Sequence, residues 1–491
     1  MDELYVNFDK LKERFISVQS QYQNFEESPN SLLFVSGSRK TDNPYQKTTI
    51  LQDWLIGYEY PATLIAFLPK KVVVITNASK ARHIHKALEL FDETKDGFKF
   101  EIWERRNQEA AHNKELFENI IKEIQEAGTT VGILKKDSFE GKFTNEWNPL
   151  WDAAVKEHNF TFVDVSVGLS KLWAAKDSIE QAYLSVASRC SDKFMDFLSD
   201  EMVRAVDEEL KITNAQLSDK IEDKIEDDKF TSKFASTVSS LCPPGHKYSS
   251  EFLEWTYSPI IQSGESFDLK VSARSNNDQL YGNGCILASC GIRYSNYCSN
   301  ITRTFLIDPS EEMTKNYDFM LELQEQIVNQ IIKKGKTPQQ IYNETVEYIK
   351  GKRPELAANF TKNIGFMLGL EFRDASFILN TKNDYREISG GECFNISFGF
   401  NMLKDSKSGR TYALQLADTV QISNDEVPKA IILTNSTKTR AQICFFFNNE
   451  EDDEKSKKKS AVPVNSAAQD RNSKILRTKL RGDGRSGSDD A

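Results

Sequence analysis

The sequence predicts an α/β part followed by an α+β part and a charged, disordered tail. Three observations predict it. Short apolar runs alternate with helix-period stretches up to about residue 175, strand-like runs dominate after Phe252, and the composition breaks after Phe447.

In chain order, the first part carries the strand candidates SLLFVSG, ATLIAFLP, KVVVIT, KFEIW, TVGIL and FTFVDV. Runs of branched and aromatic residues of this length suit a pleated, buried surface. Between them, 80–91 and 113–127 repeat apolar residues at helical spacing. Such alternation predicts a sheet covered by helices. The pattern changes at 170–178, where KLWAAKD leads into a helical stretch over 177–230. After Phe252 follow FDLKVSA, CILASCGIRY, YCSNITRTFLI, CFNISFGF, YALQLADTVQI, KAIILT and QICFFF, with helical insertions near 311–334 and 338–351. This mixture predicts a mostly antiparallel sheet. Residues 448–491 open with NNEEDDEKSKKKS and continue small, polar and Gly/Ser-rich, the composition of a disordered linker. The expected division is 1–175, 176–447 and 448–491.

At 491 residues the chain is long enough for two or three cores. Its most apolar stretch, Ala62–Ile75, is broken by Pro69, Lys70 and Lys71, so no membrane partner is expected. The polar start MDELYVNFDK does not read as a secretion signal, and the seven cysteines are odd in number without framework spacing. They are expected to be reduced thiols of the cytosol or nucleus. The net charge of −10 is uneven: from Lys455 onward ten Lys or Arg face four Asp, which leaves about −16 on residues 1–454. A body so acidic repels phosphate backbones and favours basic partners.

The segment 285–309 is the most informative. With Ser295–Asn296 as a two-residue turn, Tyr294 faces Tyr297, Ser289 faces Thr302 and Asn300 faces Gly291. Ser289 and Asn300 are then diagonal neighbours on one face, roughly 7 Å or less apart. Two carboxylates there could grip a pair of metal ions; this chain has a hydroxyl and an amide. Its five histidines are His83, His85, His112, His158 and His246, so none serves the strands after residue 246. They are read as exposed or satisfied side chains. Cys285, Cys290 and Cys298 lack the spacing and fourth ligand of a zinc site and read as packing thiols. Neither Ser289 nor Ser397 sits in a Gly-x-Ser-x-Gly elbow.

The same segment resembles the two-Asp hairpin of the pita-bread metallopeptidases, such as aminopeptidase P, prolidase, methionine aminopeptidase and creatinase. Ile301, Thr302, Arg303, Thr304 and Phe305 match, while the two Asp positions, eleven apart, hold Ser289 and Asn300. The resemblance places the other three ligand positions at Phe366 in NIGFMLGLEFRD, at Ser397 and at Ala417 in LADTV, and a second family His at Arg373. It implies a two-lobed creatinase-like, pita-bread architecture with a vestigial cleft of Ser289, Asn300, Phe366, Ser397 and Ala417. No catalytic residue, metal or cofactor is expected. Glu371, Asp374 and Asp418 survive nearby and are read as salt-bridged or solvated carboxylates.

Longer strings resemble the fungal large subunit of the FACT histone chaperone: NPYQKTTILQDWLIGYEYPATLIAF, NEWNPLWDAAVKE, RAVDEELKITNAQLSDKIE, LCPPGHKY, WTYSPIIQSG and RNSKILRTKLRG. This resemblance covers essentially the whole chain. It implies a nuclear, chromatin-associated, non-enzymatic module that meets histones and nucleosomes in transcription and replication. A small FACT subunit would be engaged through regions mostly outside this chain. The acidic run Glu450, Glu451, Asp452, Asp453 and Glu454 is a histone-contact candidate beside the plainer reading of a solvated linker. Lys455–Lys459 and Lys474–Arg481 read as a basic linker or an import signal. Two alternatives stand: a scaffold that docks replication or transcription factors without histone contact, and an active metallopeptidase, which the five substitutions oppose.

Overall fold

The computed structural model describes residues 8–39, 45–384, 386–436 and 438–447. The described residues up to Phe445 group into one compact unit. The predicted linker 448–491, with Glu450–Glu454 and both basic runs, lies outside the described residues. Among the described residues no helix is long and apolar enough to cross a membrane.

All six strands expected in the first part form, and they share one sheet. Its order is Lys99–Arg105, Lys71–Asn77, Thr63–Leu68, Ser31–Ser36, Thr130–Ile133, Thr161–Asp164. The three central strands pair antiparallel, and both flanks add parallel strands. Alternation with period two sorts the side chains. Leu32, Phe34, Ile65, Phe67, Val72 and Val74 join a cluster with helices Phe8–Gln21 and Lys47–Ile56. Leu33, Leu64, Ala66, Leu68, Val73 and Ile75 join another, with Ala110–Ala127 and Lys142–His158. The helix expected over 80–91 divides into Ala78–Ile84 and Ala87–Leu90, and Ile84 and Ala87 reach the same cluster on either side of the break.

Asp177 opens the long helix Ser178–Asp207 with a capping box. Its carboxylate accepts from the Ile179 and Glu180 amides, and the Glu180 side chain accepts from the Asp177 amide. The helical stretch expected to reach residue 230 is interrupted after this helix. Glu209 turns left-handed, and the chain then bonds outward: Leu280 N–H donates to Ile212 O and Asn214 N–H to Asp278 O. A tertiary partner thus replaces the helical one, and the helix resumes at Asn214–Glu222.

The second sheet runs Ile260–Ser263, Gly284–Cys290, Ile301–Ile307, Thr411–Ile422, Cys393–Lys404, Gly365–Met367. Ala430–Ile432 and Cys444–Phe445 pair with Thr411–Ile422 and Ile301–Ile307 respectively. Pairing is antiparallel except at Cys444–Phe445. Two expectations are corrected. FDLKVSA forms no strand, because side-chain amides take the carbonyls of Phe267, Asp268 and Leu269, and the chain then turns at Val271–Ser272 with Ala273 N–H donating to Lys270 O. QICFFF begins as the helical turn Arg440–Ile443, which Thr439 and Gln442 cap reciprocally.

The informative hairpin has the register its turn demands. Ser295 and Asn296 have φ of 46° and 71°, Tyr294 lies opposite Tyr297, and Ser289 opposite Thr302. The ladder is broken at Gly291, where a Cβ would meet Ser299 O at 2.3 Å. Beyond the break, Ile292–Tyr294 and Tyr297–Cys298 leave the main sheet and pair into a small one with Leu253–Trp255.

Candidate functional site

The ladder builds one row across the second sheet. Ser289 lies opposite Thr302, Thr302 opposite Ala417, and Ala417 opposite Ser397. Asn300 lies on the neighbouring row, bonded to Thr419, which is opposite Asn395. Phe366 also stands off the first row, opposite Asn395 on the edge strand. Sheet order therefore gathers positions that are far apart in the chain. A cavity of about 10 Å³ touches Ser289, Asn300 and Ser397, with Tyr257, Thr302 and Gln415 among its walls, while Phe366 and Ala417 do not line it.

Ser289, Thr302 and Asn300 already have neutral partners on this floor, while the buried Asn395 Nδ2 has none among the described residues. Ser289 and Thr302 share a hydroxyl hydrogen bond of 2.8 Å. Asn300 Oδ1 accepts from the Tyr257 hydroxyl at 2.5 Å, and its Nδ2 donates to Asn395 Oδ1 at 3.1 Å. Phe366 packs edge-on against Phe372, with the Arg373 guanidinium 5.8 Å from its ring centre. Ala417 contributes only its carbonyl, which accepts from Arg303. A pair of hard divalent ions needs several charged oxygens. Neutral groups bonded to one another, a phenyl ring and a methyl group do not fit such a centre. Among the described residues no group of three or more His, Cys, Asp or Glu could hold a metal ion.

The surviving carboxylates are committed to ion pairs. Asp418 is fully buried, with Arg303 at 2.7 Å and Lys438 at 3.1 Å. Burial opposes its charge, yet these cations hold its carboxyl below the ordinary range. Glu371 and Asp374 share Lys47, at 2.6 and 3.5 Å. Lys47 Nζ also donates to Ser170 Oγ at 2.6 Å. Burial pushes Glu371 up to about 7, whereas Asp374, equally buried, is held low by Lys47 and by hydrogen bonds from Ser376. The thiols of Cys285 and Cys298 are buried and pushed up to about 12 and 11, so they are not nucleophiles at neutral pH. His246 is bonded to Tyr183 at 3.0 Å, and His112 contacts Glu104 O at 3.1 Å.

Sequence reasoning missed Tyr257, Asn395 and Lys47. Nothing local marks the first two, which reach the floor only through strand order. Lys47 sits in NPYQKTTILQDW, a string noticed for its resemblance but carrying no sign of a partner 324 residues away.

Comparison with known proteins agrees with this geometry. Residues 6–168 match the family model described as FACT complex subunit SPT16 N-terminal lobe domain, and 183–424 match metallopeptidase family M24. The FACT complex subunit SPT16 of Saccharomyces cerevisiae is 62% identical over 491 residues, which covers 100% of this chain and 47% of that one. The chain thus spans about half the length of the curated relatives it matches. The solved N-terminal domain of FACT complex subunit SPT16 from Eremothecium gossypii superposes with a TM-score of 0.88 at 55% identity, covering 91% of this chain and 100% of that one. An X-Pro aminopeptidase from Thermotoga maritima superposes with a TM-score of 0.55 at 15% identity over 85% of this chain and 98% of its own, a likeness of fold alone. The fold is the pita-bread one of the M24 peptidases, and the chain belongs to the family of the N-terminal domain of FACT complex subunit SPT16.

Proposed function

We propose that this chain is a non-enzymatic module of a FACT histone chaperone that binds histones and nucleosomes on chromatin in the nucleus. The observation that carries the reading is the 62% identity to a FACT complex subunit across the full chain. Charge supports it: about −16 on residues 1–454 favours encounter with strongly basic histones. The acidic run Glu450–Glu454 supplies five of those negative charges. Contact with a small FACT subunit is assigned to parts of the whole protein beyond this chain.

The non-enzymatic part of the proposal rests on the replaced ligand positions Ser289, Asn300, Phe366, Ser397 and Ala417. The purified chain is expected to carry no stoichiometric zinc, manganese or cobalt by elemental analysis, and to release nothing from Xaa-Pro peptides. Bound metal together with chelator-sensitive cleavage would refute this. Histone binding is tested by titration with core histones at rising salt. It should saturate at a simple stoichiometry and persist near 150 mM salt, where the Debye length is about 8 Å. Histone-tail peptides should compete better than an unrelated lysine-rich peptide of equal charge. If binding vanishes at that salt, or both peptides compete alike, a scaffold for replication or transcription factors becomes the better reading.

A further inference from the structure

The first sheet ends at the strand Lys99–Arg105, which has a partner strand on one side only. It runs parallel to Lys71–Asn77 in unbroken register, and its Lys99 N–H donates to Lys70 O at 2.9 Å. Main-chain groups alternate in direction along a strand. The odd-numbered residues therefore serve that pairing, and the even-numbered ones point outward. The far end of the edge shows this directly. His112 Nε2 donates to Glu104 O at 3.1 Å. Asn113 bonds Arg106 twice, accepting from its N–H and donating to its C=O, each at 2.9 Å. Two side chains of helix Ala110–Ala127 thus stand where a further strand would lie, and they stop at Glu104. Among the described residues nothing takes the N–H and C=O of Phe100 and Ile102 or the N–H of Glu104. An open run of this kind is a template for one more strand.

A seat for a side chain lies beside the open run. Trp103 and Leu116 both pack against the apolar cluster on the helix side of the sheet. Together with Glu104, Arg106, His112 and Asn119 they line a hollow of about 230 Å³. Strands in a sheet lie about 4.8 Å apart, so a residue of an added strand that faces the helix reaches this hollow. The charges around it are unbalanced. Every Lys and Arg from Lys99 to Lys122 is paired with a carboxylate. Glu104 and Glu115 are exposed, and among the described residues neither meets a cation. Glu115 shares a helix stripe with His112 and Asn119, because residues three and four apart are neighbours.

We propose that the open edge Phe100–Glu104 is a docking site for an extended segment of another protein, which joins the first sheet as a further strand. The main-chain groups of Phe100, Ile102 and Glu104 hold the segment. An aliphatic side chain of the segment seats on Trp103 and Leu116. Lys or Arg two residues to either side, on the same face, reach toward Glu104 and Glu115. The edge itself accepts many sequences, and the hollow and the two carboxylates select among them. The site is on a different sheet from Ser289 and Asn300, and its use does not depend on histone binding.

The probe is the fluorescently labelled peptide Thr-Lys-Val-Leu-Val-Arg-Thr, titrated into the full chain at about 150 mM salt. It should bind saturably and slow hydrogen exchange at the Ile102 and Glu104 amides. Two further probes carry N-methyl groups, one on both valines and the other on the lysine, leucine and arginine. Only one of these sets faces the edge, so one probe should lose at least about tenfold in affinity while the other keeps it. Ile102→Pro preserves the inner pairing, because the Ile102 N–H points outward, and a proline on an edge blocks strand addition. It should weaken the parent probe by a similar factor. A probe with Glu in place of Lys and Arg should bind at least about tenfold more weakly. No binding of the parent probe, equal behaviour of the two methylated probes, unchanged affinity in folded Ile102→Pro, or equal affinity for the acidic probe overturns the proposal. So does a dimer of the unmodified chain that Ile102→Pro dissociates, since the occupant is then a second copy. Should Ile102→Pro fail to fold, the methylated probes decide, because they need no variant.

Discussion

At the scale of residues, the floor of the cleft is balanced as a neutral network. Asn300 is its centre, because its amide donates to Asn395 and its carbonyl accepts from Tyr257. An aspartate there would bring a buried charge that the Asn395 amide, whose Nδ2 is unpartnered among the described residues, could meet with a single neutral donor, and one at Ser289 would set a second charge beside it, with no cation to offset either. The Ser289→Asp, Asn300→Asp double variant is therefore expected to lose about 3 kcal/mol or more. A thermal melt without metal checks this, and an unchanged midpoint would mean the pair is solvated. Glu371 makes a different prediction. Its folded value of about 7 lies above its ordinary 4.5, so the folded form holds the proton more tightly. Its contribution is full below about 4.5 and is lost as pH rises through 7. Asp374 is held low, so its titration falls below this window. The facing groups are Lys47, Asp374 and Asp137. Glu371→Gln should flatten the decline in melting temperature between pH 5 and 7.5, an effect on the order of 2 kcal/mol. A slope identical to that of the unmodified chain would refute the assignment.

At the scale of elements, what was legible in the sequence is what depends on neighbours along the chain. The six strands of the first sheet announce themselves by branched and aromatic runs, and the Ser295–Asn296 turn fixes the register that sets Ser289 against Thr302. What was not legible depends on distant partners. FDLKVSA reads as a strand because composition reports a preference for extended backbone, not the group that takes its hydrogen bonds. The 177–230 helix is interrupted because residues 276–280 offer other bonds. Tyr257 and Asn395 reach Asn300 only because sheet order interleaves strands from across the chain, which no local pattern encodes. The split at Gly291 is intermediate: the glycine is visible, its reason is not. A methyl group there would press on the Ser299 carbonyl, a backbone atom that cannot move without the hairpin. Gly291→Ala should cost about 2–4 kcal/mol and speed thiol labelling at buried Cys290 and Cys298. A labelling rate equal to that of the unmodified chain would show that the hairpin accommodates the methyl.

At the scale of the whole molecule, an apolar cluster joins the two sheets. Phe15, Trp54 and Trp173 share it with Leu184, Tyr297, Leu368 and Leu370. Polar links cross at the same place: Lys47 to Glu371 at 2.6 Å, Arg14 to Asp177 at 3.0 Å and Tyr45 to Thr256 O at 2.9 Å. Apolar burial of this kind is non-directional and scales with area, so neither sheet can open its side of the cluster without exposing the other's. The chain supplies separate probes for the two sides. Five of its six tryptophans lie at or before residue 173, and all seven cysteines lie at or after residue 190. Tryptophan fluorescence thus reports mainly the first sheet, and thiol labelling of buried Cys285, Cys290, Cys298 and Cys393 the second. If the cluster couples them, urea unfolding followed by the two probes should give one midpoint. Leu370→Ala, which removes buried methyl groups at the join, should shift both curves together by about 2–5 kcal/mol. Two separated midpoints in the unmodified chain, or a Leu370→Ala shift confined to the thiol signal, would mean that each sheet is stable by itself and that the shared cluster is a contact between independent folding units.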